Sequence, residues 1–293
     1  MWNRFKTALF LGLLTGVAVG MGWLIGGYVG MLVAFGIAVA MNFGAWWFSD
    51  RLVLALYRAR EVSPDQAPEL HAMVAELARR ADIPMPRVYV VPDHTPNAFA
   101  TGRSPKHSAV AVTEGLLQIL DYSEVQAVLA HELGHVINRD TLISTIAATF
   151  AGAISMVANM LMWVVMFGGS NDEDNPLGAI GALLAMLVAP FAATLIQLAI
   201  SRSREYLADE TGAKLVGSGV PLARALQKLH YGVHHIKPDH RVEPATAHLF
   251  IVNPLSGRGI SALFSTHPPM EARVQRLLEM SPQIEADSYR TAA

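Results

Sequence analysis

The sequence predicts a mainly α membrane protein, four transmembrane helices carrying an α+β domain on one side. Three observations lead there. Of 293 residues, 52% are hydrophobic and only 16% charged, where soluble domains carry about 25% charge. The apolar residues are gathered into a few long unbroken runs rather than spread along the chain. Between the runs lie polar stretches with helical and strand-like periodicity. A formal net charge of −2 offers no basic face, so no nucleic-acid partner is expected. Cysteine is absent, which excludes disulfides, thiol nucleophiles and thiolate metal sites. Any metal must be held by His, Asp or Glu.

Residues 7–49 contain no charge, room for two helices of roughly 20 residues each. Gly26-Gly27 is the natural break, giving spans over 8–25 and 28–48. Trp23 and the pair Trp46-Trp47 lie near span ends, where amphipathic rings favour the headgroup layer. Gly12, Gly16 and Gly20 form a smooth stripe against which another helix would pack closely. Arg4 and Lys6 precede the run as in a signal peptide, but the run continues into a second span, so cleavage is not expected. Two further spans follow over 142–167 and 177–200, the last kinked at Pro190. Their connection carries Asp172, Glu173 and Asp174, whereas Arg and Lys flank the other span ends. That asymmetry places both termini in the cytoplasm. No span carries an ionisable residue, which argues against transport.

The chain thus divides into a hairpin over 1–49, a first polar part over 50–141, a second hairpin over 142–200 and a second polar part over 201–293. Both polar parts lie on the cytoplasmic side and fold together. Residues 64–81 read as a helix, with Leu70, Met73, Val74 and Leu77 on one face. Strand-like runs follow at 87–91, 98–101 and 109–113. Ser123 is placed to cap the next helix. Helices over 202–216, 222–229 and 271–280 complete the reading.

The chemistry concentrates in His131-Glu132-Leu133-Gly134-His135. Histidines at i and i+4 project from one helical face, close enough to share a metal ion, and Glu132 between them can hold a water. A catalytic zinc takes three protein ligands and keeps one position open. Six residues beyond the second histidine stands Thr141, so the third ligand comes from elsewhere. The best candidate is Glu205, just after the fourth span, which shares a helical face with Asp209. One would bind the metal while the other accepts a hydrogen bond from a ligand histidine. Asp140 either caps the helix junction or sits near the metal. His230, His234, His235 and His240 read as solvated, and Met156, Met160, Met162 and Met166 as packing in a span.

His131-Glu132-Leu133-Gly134-His135, then Ser203-Arg204-Glu205-Tyr206-Leu207-Ala208-Asp209, then Ser265-Thr266-His267-Pro268-Pro269 together resemble the HtpX family. These are bacterial membrane zinc proteases related to the CAAX prenyl endoprotease, and the resemblance covers nearly the whole chain. It implies a zincin-like catalytic domain with one Zn2+ held by His131, His135 and Glu205 and with Glu132 as catalytic base, which leaves Asp209 as the hydrogen-bond acceptor behind the ligands. It places His267 near the site, as a candidate donor to the oxyanion. Pro96 to Gly102 is similar to the family's segment beside the cleft, so Asn97, Ala98 and Phe99 are candidates to bind substrate backbone as an added strand. The implied role is degradation of damaged or misassembled proteins in the inner membrane, with unfolded or membrane-protein substrates and the lipid bilayer as partners. Self-association into a homo-oligomer is compatible with the sequence. Two other readings stand beside it: a CAAX-like processing protease, and a non-enzymatic assembly factor with a structural metal. An unliganded Glu132 argues against the last.

Overall fold

The computed structural model describes residues 2–142, 202–235, 251 and 268–292. The third and fourth expected spans, His240 and His267 lie outside the described residues. Helix α1 (Trp2–Leu56) breaks where the glycines allow it, at Gly26 and at Gly27, whose φ of 57° combined with ψ of −141° suits a residue without Cβ. Its second arm, Gly26–Phe48, is long and apolar enough to cross a membrane, one such helix among the described residues. The arms fold back on each other. The Asn42 amide donates to Thr15 Oγ1 at 2.8 Å and to the Leu11 carbonyl at 3.3 Å. Close approach occurs at Gly22 and Gly30, where a Cβ on Gly22 would stand 2.5 Å from the Gly30 carbonyl. The expected stripe of Gly12, Gly16 and Gly20 meets nothing among the described residues.

Beyond the span the chain builds a four-stranded mixed sheet in the order β1-β2-β4-β3. Strand β1 is Arg60–Glu61, β2 Arg87–Val91, β3 Ala98–Ser104 and β4 His107–Thr113. Strands β2 and β4 run parallel, while β3 pairs antiparallel with β4 and forms one edge. Period-2 alternation sorts the side chains. Val88, Ala98, Ala100, Val110 and Val112 face a core shared with helix α2 (Pro68–Arg80) and helix α4 (Tyr122–Ile137). Tyr89, Val91, Phe99, Ala109 and Ala111 face the end of α1 at Val53 and Leu54. The sheet is therefore covered on one side by the continuation of the helix that is long and apolar enough to cross a membrane.

Helix α2 starts later than the periodicity suggests, because residues 63–67 first close a turn on the Ser63 carbonyl and Pro68 then fixes the first helical φ. After the short helix α3 (Glu114–Ile119), the motif helix α4 is capped by Asp121 rather than Ser123. Asp121 accepts from the Glu124 amide at 3.0 Å, and Glu124 Oε2 accepts from the Asp121 amide at 3.0 Å. This reciprocal capping box outcompetes Ser123, whose hydroxyl is turned onto Asp121 Oδ1. Helices α5 (Arg202–Val216), α6 (Val220–His235) and α7 (Met270–Ala292) pack around α4 and complete the core with Leu222, Leu226, Leu229 and Leu277.

Candidate active site

Helix α4 is buried along almost its whole length, so its two histidines point into protein rather than water. Their partner is α5, and glycines let the helices touch. A Cβ on Gly134 would stand 3.0 Å from the Ala208 carbonyl, and one on Gly212 would stand 2.8 Å from the His131 amide nitrogen. This contact brings Glu205 opposite both histidines.

The geometry sorts the imidazole nitrogens cleanly. His131 Nδ1 lies 2.9 Å from Asp209 Oδ1, and His135 Nδ1 lies 3.4 Å from Asp140 Oδ2. The opposite nitrogens converge on one carboxylate: His131 Nε2 stands 3.9 Å from Glu205 Oε2, and His135 Nε2 stands 3.5 Å from Glu205 Oε1. Ligand atoms of His131, His135 and Glu205 all lie within 4.8 Å of one another. Around a tetrahedral ion with bonds of roughly 2.1 Å, neighbouring ligand atoms sit about 3.4 Å apart. The observed separations are long for hydrogen bonds and right for two ligands either side of an ion. The donor set fits a zinc-like metal.

Glu132 points elsewhere. Its Oε2 accepts from the Ala100 amide of β3 at 2.9 Å, fixing the carboxylate between the edge strand and the histidines. Burial pushes its pKa above the usual carboxylate range, against the pull of His131 and His135. At His135, burial works against the charged ring, yet Asp140, Glu205 and Glu132 overcome it and lift the pKa to about 9. The pocket is built to hold positive charge.

One residue escaped the sequence reading. Arg273, from α7, is 1% exposed and makes a bidentate pair with Asp209 at 2.6 and 2.8 Å. Its Nη1 reaches the Ile251 carbonyl at 3.2 Å and Glu205 Oε2 at 3.5 Å. Burial raises the Asp209 pKa, but Arg273 and then His131 prevail and hold it below the ordinary carboxylate value. Nothing in the local spacing of α7 separates Arg273 from an exposed helix arginine; only the fold brings it 64 residues back to Asp209.

Just before β3 the Asn97 carbonyl accepts from Thr113, while within the strand the Ala100 amide turns to Glu132. Alternation therefore directs the backbone of Asn97 and Phe99 toward β4 and that of Ala98 and Ala100 toward the outer edge. The Asn97 side chain accepts from the Ile251 amide at 3.1 Å, and the Phe99 ring packs on Tyr57 across the sheet, 5.0 Å between centroids.

Two helix-borne histidines, a carboxylate facing them from a second helix and a buried glutamate beside an edge strand define a metallopeptidase site. The chain belongs to peptidase family M48, whose family model matches residues 64–281. Among its relatives, the protease HtpX homolog of Persephonella marina is 56% identical over 282 residues, covering 95% of this chain and 98% of that one. The protease HtpX homolog of Pyrococcus furiosus is 56% identical over 285 residues, covering 97% of each. The solved structure of S. mikatae Ste24p aligns with a TM-score of 0.49 at 18% identity, covering 94% of this chain and 62% of that chain. The protein is a membrane metalloprotease.

Proposed function

We propose that the chain is a zinc endopeptidase with one Zn2+ held by His131, His135 and Glu205, cutting unfolded or misassembled membrane proteins. The observation that carries this reading is the sorting of nitrogens: both Nδ1 atoms engage carboxylates, and both Nε2 atoms converge on Glu205. When bound, the ion supplies Lewis acidity, polarising the scissile carbonyl and making a water deprotonatable near neutral pH. Glu132 takes the proton from the attacking water and returns it to the leaving amine. Its raised pKa, from burial, suits a base that must also act as acid. Asp209 and Asp140 hold the two imidazoles in the tautomer that presents Nε2. Arg273 keeps Asp209 ionised for that task.

A substrate segment lies against the outer edge of β3, where Ala98 and Ala100 turn their backbone groups, with Asn97 and Phe99 bracing the strand from behind. His267 would donate to the oxyanion, as the resemblance to the HtpX family implies. The same reading has four spans, both termini and the site in the cytoplasm, and an inner-membrane location. Detergent-purified protein, loaded with zinc, is expected to cleave casein and to lose that activity with chelator or with Glu132→Gln. Cleavage by Glu132→Gln at the wild-type rate would end the assignment of the base.

A further inference from the structure

Strand β3 does not end in solvent. Four residues past Phe99, Arg103 lays its guanidinium 4.4 Å from the ring centroid of Trp47 and donates to the Trp47 carbonyl at 3.3 Å. Trp47 stands at the end of the candidate span, in a cluster with Phe43 and Trp46. At the other end of the same strand, Phe99 packs on Tyr57. Phe99 to Arg103 spans roughly 13 Å of extended chain, and Trp47 to Tyr57 roughly 15 Å of helix. Two contacts with matched spacing mean that β3 runs alongside the emerging end of α1 and antiparallel to it, with its Arg103 end at the span boundary and its Phe99 end farther out. A separate contact fixes the same level: Asp50, the first charge after the span, is bound by Arg87 of β2 at 2.7 Å. The β3–β4 tip is open and carries the Lys106 cation, with Lys106 and His107 both exposed, as suits a headgroup layer.

Ala100, whose amide holds the base Glu132, therefore lies three residues, about 10 Å, beyond the span end. Between them the outer edge of β3 is closed, because the Thr141 hydroxyl donates to the Gly102 carbonyl at 3.2 Å. A chain leaving the bilayer cannot pair its way along β3 from the boundary; it must cross that gap before it meets Ala100.

We propose that β3, anchored by Arg103 on Trp47, is a ruler that fixes where membrane-anchored substrates are cut, and that scissile bonds lie roughly three to six residues outside the bilayer. This inference rests on the proteolytic reading above. Bonds nearer the boundary cannot reach the base. Bonds farther out reach it through a lengthening tether, whose effective concentration falls as about the −3/2 power of its length.

The test uses zinc-loaded enzyme in proteoliposomes with single-span substrates. Each carries one casein-derived segment that the enzyme cuts in solution, set off from the span by Gly/Ser spacers of increasing length. Mass spectrometry locates and times the cut. Cleavage is expected to be at least tenfold below maximum when the bond lies one residue from the span, and maximal near four to six. At twenty residues the rate falls by about tenfold. Arg103→Glu combined with Trp47→Ala should blur the near cut-off while casein in solution is still cleaved. Equal rates at every spacer length, with casein cleavage intact and dependent on Glu132, would overturn the ruler and leave the protease reading standing. A sharp cut-off unchanged in the double variant would overturn the role of Arg103 and Trp47. Loss of all cleavage by wild-type enzyme would overturn the protease reading itself.

Discussion

Gly212→Ala is the substitution for which local and tertiary arguments point in opposite directions. In an exposed helix, alanine is favoured over glycine by about 1 kcal/mol. Here the added Cβ would stand 2.8 Å from the His131 nitrogen, 2.9 Å from its Cα and 3.1 Å from the Ala130 carbonyl carbon. All three are backbone atoms of α4, so no rotamer change relieves the clash. Ordinary contact begins at 3.4 Å, so α5 must retreat by about 0.6 Å at that level, an overpacking cost of about 1–3 kcal/mol. The retreat carries Glu205 away from His131 Nε2, already 3.9 Å distant. Zinc affinity is expected to fall at least tenfold, with a lower unfolding midpoint in detergent. Gly134→Ala, whose nearest contact is 3.0 Å, should do the same more weakly. Zinc titration and denaturant unfolding of the purified variants measure both effects. A Gly212→Ala protein as stable as wild type, with unchanged zinc affinity, would refute the close-contact argument.

Other outcomes follow from the same geometry. Glu132→Gln should keep zinc and lose roughly 10²–10⁴-fold in turnover, checked by metal content and casein cleavage on one sample. Glu205→Gln should lose zinc steeply while the apo fold persists; Asp209→Asn should keep more zinc, down about 10–100-fold, yet destabilise the fold by about 1.5–3 kcal/mol, because Arg273 loses its bidentate carboxylate and keeps Glu205 Oε2, 3.5 Å away, as counter-charge. Greater zinc loss in Asp209→Asn would reverse the two roles. Because the Asp209 pKa is depressed in the folded state, chiefly by Arg273 against burial, its contribution is complete above the ordinary carboxylate pKa of about 4 and is lost as pH falls through the lower folded value. Acid unfolding of chelator-treated protein should show this stability rising with pH below about 4, and Asp209→Asn should flatten that part of the profile.

What the sequence made legible was whatever its chemistry expresses locally. The i, i+4 histidines on an apolar helix, the Gly26-Gly27 break and the period-2 strands are all local patterns, and the structure contains each of them. Spacing also placed Glu205 and Asp209 on one helical face while leaving their roles open; three-dimensional distances separate them, Asp209 against Nδ1 and Glu205 against Nε2. Asp140, which spacing placed either at the helix junction or near the metal, stands with its Oδ2 3.4 Å from His135 Nδ1 and its amide on the His135 carbonyl. Arg273 was illegible because its partner is remote in sequence and an amphipathic helix carries many arginines. The helix cap went to Asp121 instead of Ser123 because the reciprocal bond with Glu124 depends on the entry geometry of the chain. Likewise, a glycine stripe specifies a smooth face, not its occupant, and the close approach fell at Gly22 and Gly30.

The central claim is that His131 Nε2, His135 Nε2 and a Glu205 oxygen hold a single zinc ion beside Glu132. Diffraction from crystals of the zinc-loaded protein, recorded on both sides of the zinc absorption edge, tests it most directly. The account predicts one anomalous peak per chain, about 2.0–2.2 Å from each of those three atoms, with Glu132 outside bonding distance. A peak bound by Glu132 or by a fourth protein ligand, or one located away from the two histidines, would contradict it.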